Sequence, residues 1–284
     1  QDKEDDRTRH VMELRSHTGP AFFTYKDSGA IDSLIAGEIK KSPLFNFTAA
    51  DGIRHTVWRL DEATSQKLAG LFASNGPVFY IADGHHRSAA GARTAAECAP
   101  KNPNHPGKEA YNYFLAVAFP ATQLAILPYN RAVKSLNGLS EAAFMAKIGE
   151  KFVVTPAADG ETSKGGQFKM YLSKQWYLLT PKFDIAKLDV IGQLDVSILQ
   201  DNILAPLLGI NDPRTSKEID FIGGIRGTAE LIKLVDSGEY QVAFSMYPTT
   251  VNQLMAIADA GEIMPPKSTW FEPKLRDGIV SHNF

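Results

Sequence analysis

Only one cysteine, Cys98, occurs in the 284 residues, which excludes an internal disulfide. It falls in an alanine-rich stretch, where a small buried thiol is expected. No apolar run approaches the ~18 residues of a membrane span and none reads as a signal peptide, so a reducing cytoplasm is the expected compartment. Charge of neither sign dominates. The formal net charge is −2, so no global field draws the chain to nucleic acid or to an anionic membrane. Fixed-period repeats and low-complexity tracts are missing. So are His-Glu-x-x-His and Cys-x-x-Cys, which removes the usual protein-ligated zinc patterns. No Gly-x-Ser-x-Gly supports a serine triad. Gly223-Gly-Ile-Arg-Gly227 has neither Walker spacing nor the dinucleotide fingerprint, and reads as a glycine turn needing positive φ.

What is present is ordinary globular composition, 44% hydrophobic and 22% charged, with length for one large domain or two medium ones. The pattern predicts an α/β (mixed α+β) protein of two lobes, 1–125 and 126–284. In the first, residues 2–17 read as a charged helix, on which His10 and His17, two turns apart, share a face. Thr18-Gly19-Pro20 ends it. Ala21 to Tyr25 reads as a strand and Ala30 to Lys41 as a helix. Asp51-Gly52 lies between two alternating runs, a hairpin signal. Asp61 caps a helix running to about Asn75. Ala110 to Phe119 and Gln123 to Leu127 read as strands. Pro128-Tyr129-Asn130-Arg131 follows as a polar tetrad at a strand exit, either a binding edge or a surface loop. The second lobe alternates strand and helix as βα units do, with a hairpin around Ser173-Lys-Gln and a helix over 195–208.

The chain is organised around Pro77-Val-Phe-Tyr-Ile-Ala-Asp83-Gly84-His85-His86-Arg87-Ser88. An apolar run ends at Ala82, Asp83-Gly84 breaks it, and an alanine-rich helix begins at His85 and runs to about Glu97. Two imidazoles, a guanidinium and a carboxylate therefore crowd a strand-to-helix turn. A helix start presents unpaired N–H groups and the positive end of the dipole, which suits an anion. Arg87 adds a fork matched to carboxylate or phosphate. Phosphate chemistry is the richer expectation: backbone N–H groups after Gly84, Arg87 and an imidazole hold phosphate oxygens, while Asp83 or a remote carboxylate acts as base or positions a metal. The plainer alternative makes Asp83 a helix cap and the histidines satisfied structural groups. A second polar cluster, Glu262 to Lys274, carries Pro265-Pro266-Lys267-Ser268-Thr269-Trp270. It reads as a stiff binding loop or as a strap that packs its aromatics.

Four of these segments, Asp2 to His10, Thr18-Gly-Pro20, Ile81 to Ala89 and Met264 to Thr269, resemble the domain-of-unknown-function 1015 family, whose members are often labelled ParB-like or SpoOJ-like. The resemblance runs the length of the chain. It implies an N-terminal extension before Gln1, so Gln1 is expected not to be the natural start. More distantly, the Asp83–Arg87 turn is similar to the Gly-x-x-Arg turn of the ParB/sulfiredoxin superfamily, which includes a free-serine kinase, sulfiredoxin and CTP-binding segregation proteins. There the turn opens a helix and binds nucleotide phosphates.

Carried over, the resemblance implies a ParB/sulfiredoxin-like first lobe that binds ATP or ADP with magnesium and transfers phosphoryl to a small hydroxyl metabolite such as serine. Asp83, His85 and His86 are its expected catalytic groups. Gly84, Arg87, Ser88, Lys267, Ser268 and Thr269 are its expected cofactor contacts, and Lys3, Arg7 and His10 its expected pocket lining. Cys98 falls too far past the turn to match sulfiredoxin's catalytic cysteine, and no helix-turn-helix is recognisable. A nucleotide- or DNA-responsive binding module and a metal-assisted phosphoester hydrolase stay open as alternatives, as does a homo-oligomer. The near-zero net charge argues against nucleic acid.

Overall fold

The computed structural model describes residues 2–74, 78–272 and 274–284. Gln1, Asn75, Gly76, Pro77 and Pro273 lie outside the described residues. With them fall the expected chain start, the expected helix end at Asn75 and the opening of the central run at Pro77. The chain divides into two compact units, Gln1–Leu124 with Lys274–Phe284, and Ala125–Pro273.

The first unit opens with α1 (Asp2–Leu14), whose Asp2, Glu4 and Asp5 complement the helix dipole at its N-terminus. The expected helix over 2–17 stops short. Arg15 takes φ +51°, a conformation no helix interior accepts, and Ser16–His17 becomes a short strand, β1. His10 and His17 therefore do not share a helix. Then come β2 (Ala21–Tyr25), α2 (Gly29–Glu38), the hairpin β3 (Phe45–Thr48) and β4 (Arg54–Val57), α3 (Glu62–Ser74), β5 (Tyr80–Asp83), α4 (His85–Cys98) and β6 (Ala116–Pro120). The hairpin turns at Asp51-Gly52, with Gly52 at φ +82°. Asp61 caps α3, its Oδ1 accepting from the Thr64 N–H at 2.7 Å. The single strand expected over Ala110–Phe119 is shorter, because Ala110–Asn112 winds into a 3₁₀ turn first. β2 is the middle of a three-stranded sheet, antiparallel to β5 and parallel to β6. α1 packs on α4, where buried Cys98 holds its sulfur 3.8 Å from that of Met12.

The second unit runs β7 (Ala125–Leu127), β8 (Tyr129–Val133), α5 (Glu141–Lys151), β9 (Phe152–Ala157), β10 (Phe168–Leu172), β11 (Gln175–Pro181), α6 (Asp195–Leu199), β12 (Ile219–Gly223), α7 (Gly227–Asp236), β13 (Val242–Ser245), α8 (Val251–Asp259) and β14 (Trp270–Glu272). Strand and helix alternate, yet they do not build parallel βα units. Six strands form one sheet in the order β12-β8-β13-β10-β11-β9, and every pair is antiparallel. β10 and β11 are joined by Ser173 and Lys174 at φ +48° and +64°, the double positive φ of a tight hairpin turn. The helix expected over 195–208 breaks early. Pro206 has no N–H and crowds the carbonyl four residues before it, and beyond Leu199 the backbone widens, with Ala205 N–H reaching Gln200 O. Phe144, Phe152, Phe168, Met170, Leu199 and Phe244 form the heart of an apolar core against the sheet. The last strand, β15 (His282–Asn283), pairs with β1 in the first unit. The whole is a mixed α/β fold, and no described helix is long and apolar enough to cross a membrane.

Candidate functional site

β5 delivers the central turn. Its buried Tyr80 and Ala82 alternate with half-buried Ile81 and Asp83, so the strand enters the unit edge-on and releases the chain at Gly84. Gly84 sits at φ +85°, and a Cβ there would lie 2.9 Å from Arg87 Nε and 3.2 Å from the Ala21 backbone. Glycine is thus required twice, by its left-handed conformation and by the guanidinium folded over it. No side chain caps the start of α4. Its first-turn N–H groups are left to a ligand or to water.

The side chains of the turn part ways. The Asp83 carboxylate accepts from the Gly84 N–H at 2.7 Å and lies 3.7 Å from Lys274 Nζ. The Ser88 hydroxyl donates to the Gly84 carbonyl at 3.2 Å. His85 and His86 are exposed, and His86 Nδ1 stands 3.6 Å from Glu4 on α1. Arg87 turns inward, and its buried Nε has no partner.

Arg87 opens into a pocket of about 110 Å³ lined also by Arg7 and His10 of α1, by His17, and by Asp277. His17 is the residue sequence reasoning placed on the wrong element. It reaches the same pocket as His10 from β1, because the chain reverses at Arg15. Its side chain is 5% exposed, its ring stacks on His282, and its Nε2 has no partner. Burial first, and His282 second, hold this imidazole below its usual pKa. Asp277 lies against Gly19, where a Cβ would meet its Oδ1 at 2.7 Å. That contact explains the glycine of Thr18-Gly19-Pro20. Asp277 carried no motif and had no sequence signal.

Of the expected pocket residues, Arg7 and His10 line this cavity and Lys3 is exposed outside its lining. Asp83, Gly84, His85, His86 and Ser88 flank the turn without lining the cavity. Lys267, Ser268 and Thr269 belong to the second unit. There the Ser268 hydroxyl donates to the Pro265 carbonyl at 2.6 Å, and Lys267, at φ +56°, carries its ammonium over the Tyr129 ring. Thr269 is half-buried beside them. Of the Gly223–Gly227 glycines, Gly227 has positive φ, whereas Gly223 and Gly224 make room for Trp270 and Pro128. Among the described residues, no three His, Cys, Asp or Glu side chains gather as a metal site.

Several solved structures are similar at low identity. A free serine kinase in complex with AMP is 11% identical, covering 95% of this chain and 80% of that one, with a TM-score of 0.42. A conserved hypothetical protein from Pyrococcus furiosus is 12% identical, covering 98% and 86%, with a TM-score of 0.40. SbnI with C-terminal truncation from Staphylococcus aureus is 10% identical, covering 97% and 78%, with a TM-score of 0.47. Likenesses at this level say nothing about what this chain does. No curated protein matches it. The family described as "Protein of unknown function (DUF1015)" matches residues 1–197, more than two thirds of the chain, and the protein belongs to that family.

Proposed function

We propose that the first unit binds the phosphate end of a nucleotide between α1 and the start of α4, and that the protein transfers phosphoryl to a small hydroxyl metabolite such as serine. One observation carries this reading. Arg87 and His17 each hold a buried nitrogen without a partner, in a pocket also lined by Arg7 and His10. Buried donors without partners are costly, and an oxyanion would satisfy them. At about 110 Å³ the pocket is well below the roughly 300–1,000 Å³ of a whole small-molecule site. It suits one phosphoryl group, with the rest of the nucleotide outside it. The likeness of the Asp83–Arg87 turn to a phosphate-binding Gly-x-x-Arg turn supports a nucleotide as the donor.

Phosphoryl transfer asks for positioning and charge neutralisation rather than covalent help from the protein. Arg7 and Arg87 supply positive charge, and His10 and His17 add ring nitrogens at the same pocket. Asp277 is the carboxylate at the pocket, placed to take the proton of an attacking hydroxyl. It also suits magnesium, which needs only one or two carboxylates besides phosphate oxygens. Magnesium, when bound, offsets charge on the phosphate oxygens. Asp83 steadies the turn through the Gly84 N–H and Lys274.

The test is thermal shift with inorganic phosphate, AMP, ADP, ATP and CTP plus magnesium, on wild type, Arg87→Ala and Arg87→Lys. A ligand at a hundred times its Kd adds about 2.7 kcal/mol, a rise of several degrees. That rise is expected to vanish in Arg87→Ala and to shrink in Arg87→Lys, which keeps the charge and loses the fork. Mass spectrometry for phosphoserine after incubation with ATP or ADP and serine tests transfer separately. No shift with any ligand, or an equal shift in Arg87→Ala, overturns the binding reading.

A further inference from the structure

The second unit holds a different arginine in a different pocket. Arg131 lies on β8, in the interior of the six-stranded sheet, and is 4% exposed. Its guanidinium donates to the Tyr129 carbonyl, and to the Lys267 carbonyl at 3.0 Å, while its face rests on the Phe221 ring at 5.2 Å. Two of its five donors are thereby engaged by neutral acceptors. Among the described residues no carboxylate lies within ion-pair distance of it, and burial lowers its pKa to about 9. A buried cation without a counter-charge is an expensive feature for a fold to keep.

The same arginine lines a cavity of about 390 Å³, within the size range of small-molecule sites. Most of the wall is apolar, with Ile191, Leu204, Phe221, Pro265 and Pro266. The two prolines are rigid, and their loop is pinned by the Ser268 hydroxyl on Pro265 and by Arg131 on Lys267. Of the two carboxylates at the lining, Asp212 is held by Arg214 through Nε and Nη2, at 2.9 and 2.8 Å, and Asp201 is exposed at the rim. Neither neutralises Arg131. Two stretches singled out in the sequence, Pro128–Arg131 and the Pro265-Pro266 loop, meet in this one cavity.

We propose that this pocket binds a small organic carboxylate with a compact apolar body, its carboxylate paired with Arg131 and its body against Phe221 and the proline pair. Such a ligand supplies the charge Arg131 lacks and fills the apolar wall, and a bare inorganic anion does only the first. This site belongs to the second unit and shares no lining residue with the pocket under Arg87.

The experiment is titration calorimetry on the full chain with phenylacetate and isovalerate, against phenylacetamide, isovaleramide and inorganic phosphate. The acids are expected to bind saturably and their amides about 10- to 100-fold more weakly, the worth of a hydrogen bond to a charged group. Arg131→Met, similar in length and apolar, is expected to abolish acid binding. Ile191→Trp, at a half-buried wall position, is expected to weaken it by narrowing the cavity, and it guards against misfolding of the first variant. Arg87→Ala leaves the acid titration unchanged. No saturable binding of any acid, amides that bind as well as acids, or Arg131→Met and Ile191→Trp both binding like wild type, each overturns the proposal. Inorganic phosphate that displaces the acids at equal concentration overturns it in favour of a simple anion site.

Discussion

The two units treat buried polar atoms differently. In the second, with a dense core around Phe144, Phe168, Leu199 and Phe244, one orphaned buried side-chain atom occurs among the described residues, Asp195 Oδ2. In the first, Thr8 Oγ1, His17 Nε2, Arg87 Nε and Thr94 Oγ1 are all buried without partners. Rings such as Phe45, Phe47 and Phe79 stay exposed there as well. Unmet buried donors and acceptors oppose folding, so a unit that accumulates them is organised for something other than stability. Two of the first unit's orphans, on His17 and Arg87, line one small pocket. The orphan of the second is a lone acid inside a well-packed body.

Three substitutions break or sharpen that contrast. Phe168→Ala, in the centre of the second core, is expected to cost about 3–5 kcal/mol, read as a fall in calorimetric Tm. A loss below about 1 kcal/mol would mean that the core is not the tight one described.

Asp195 comes next. Burial raises its carboxyl from 3.8 to about 6, against a hydrogen bond from the Gly166 N–H that pulls it down. The folded state therefore binds more protons than the unfolded state between these values. Stability must fall as pH rises from about 4 to about 6, and it stays reduced above. Asp195→Asn keeps an acceptor for Gly166 and carries no charge. It is expected to stabilise the protein at pH 7 by up to about 2–3 kcal/mol, and the gain should disappear below about pH 4. Denaturant unfolding across pH measures this, and a gain that persists at pH 3 would contradict it.

The smallest effect on stability is expected from Gly84→Ala, roughly 1–2 kcal/mol for a Cβ at positive φ. Its effect on ligand is the larger one, because the new methyl displaces the Arg87 guanidinium. Loss of the nucleotide thermal shift with a small fall in Tm is the expected pair of results. An unchanged shift would separate the turn from the pocket.

Much of this was legible beforehand. The Asp51-Gly52 hairpin, the Asp61 cap and the hairpin at Ser173-Lys174 follow from local rules, since turn chemistry and hydrophobic period act over a few residues. The strand-turn-helix around Gly84 was legible for the same reason, and so was the buried Cys98. Less was legible in the second unit. Strand and helix alternate there, yet chain order does not state which edges pair, and all six strands proved antiparallel. The tetrad Pro128–Arg131, polar enough to suggest a surface, became strand β8 with buried Asn130 and Arg131. Asn130 is satisfied by donation from the Met246 N–H to its Oδ1 at 3.0 Å, a partner 116 residues away. No local pattern carries that information.

The sequence by itself determined that Gly84 breaks a buried strand and that a helix start with an arginine follows. Backbone conformation and dipole are properties of neighbouring residues. Only the tertiary structure decided which side chains face one another there. Arg87 turns in while His85 and His86 turn out, His17 joins from a strand rather than a helix, and Asp277 arrives from the far end of the chain. The physical reason is that a pocket is made of contacts distant in sequence. Their selection rests on packing and burial summed over the whole unit.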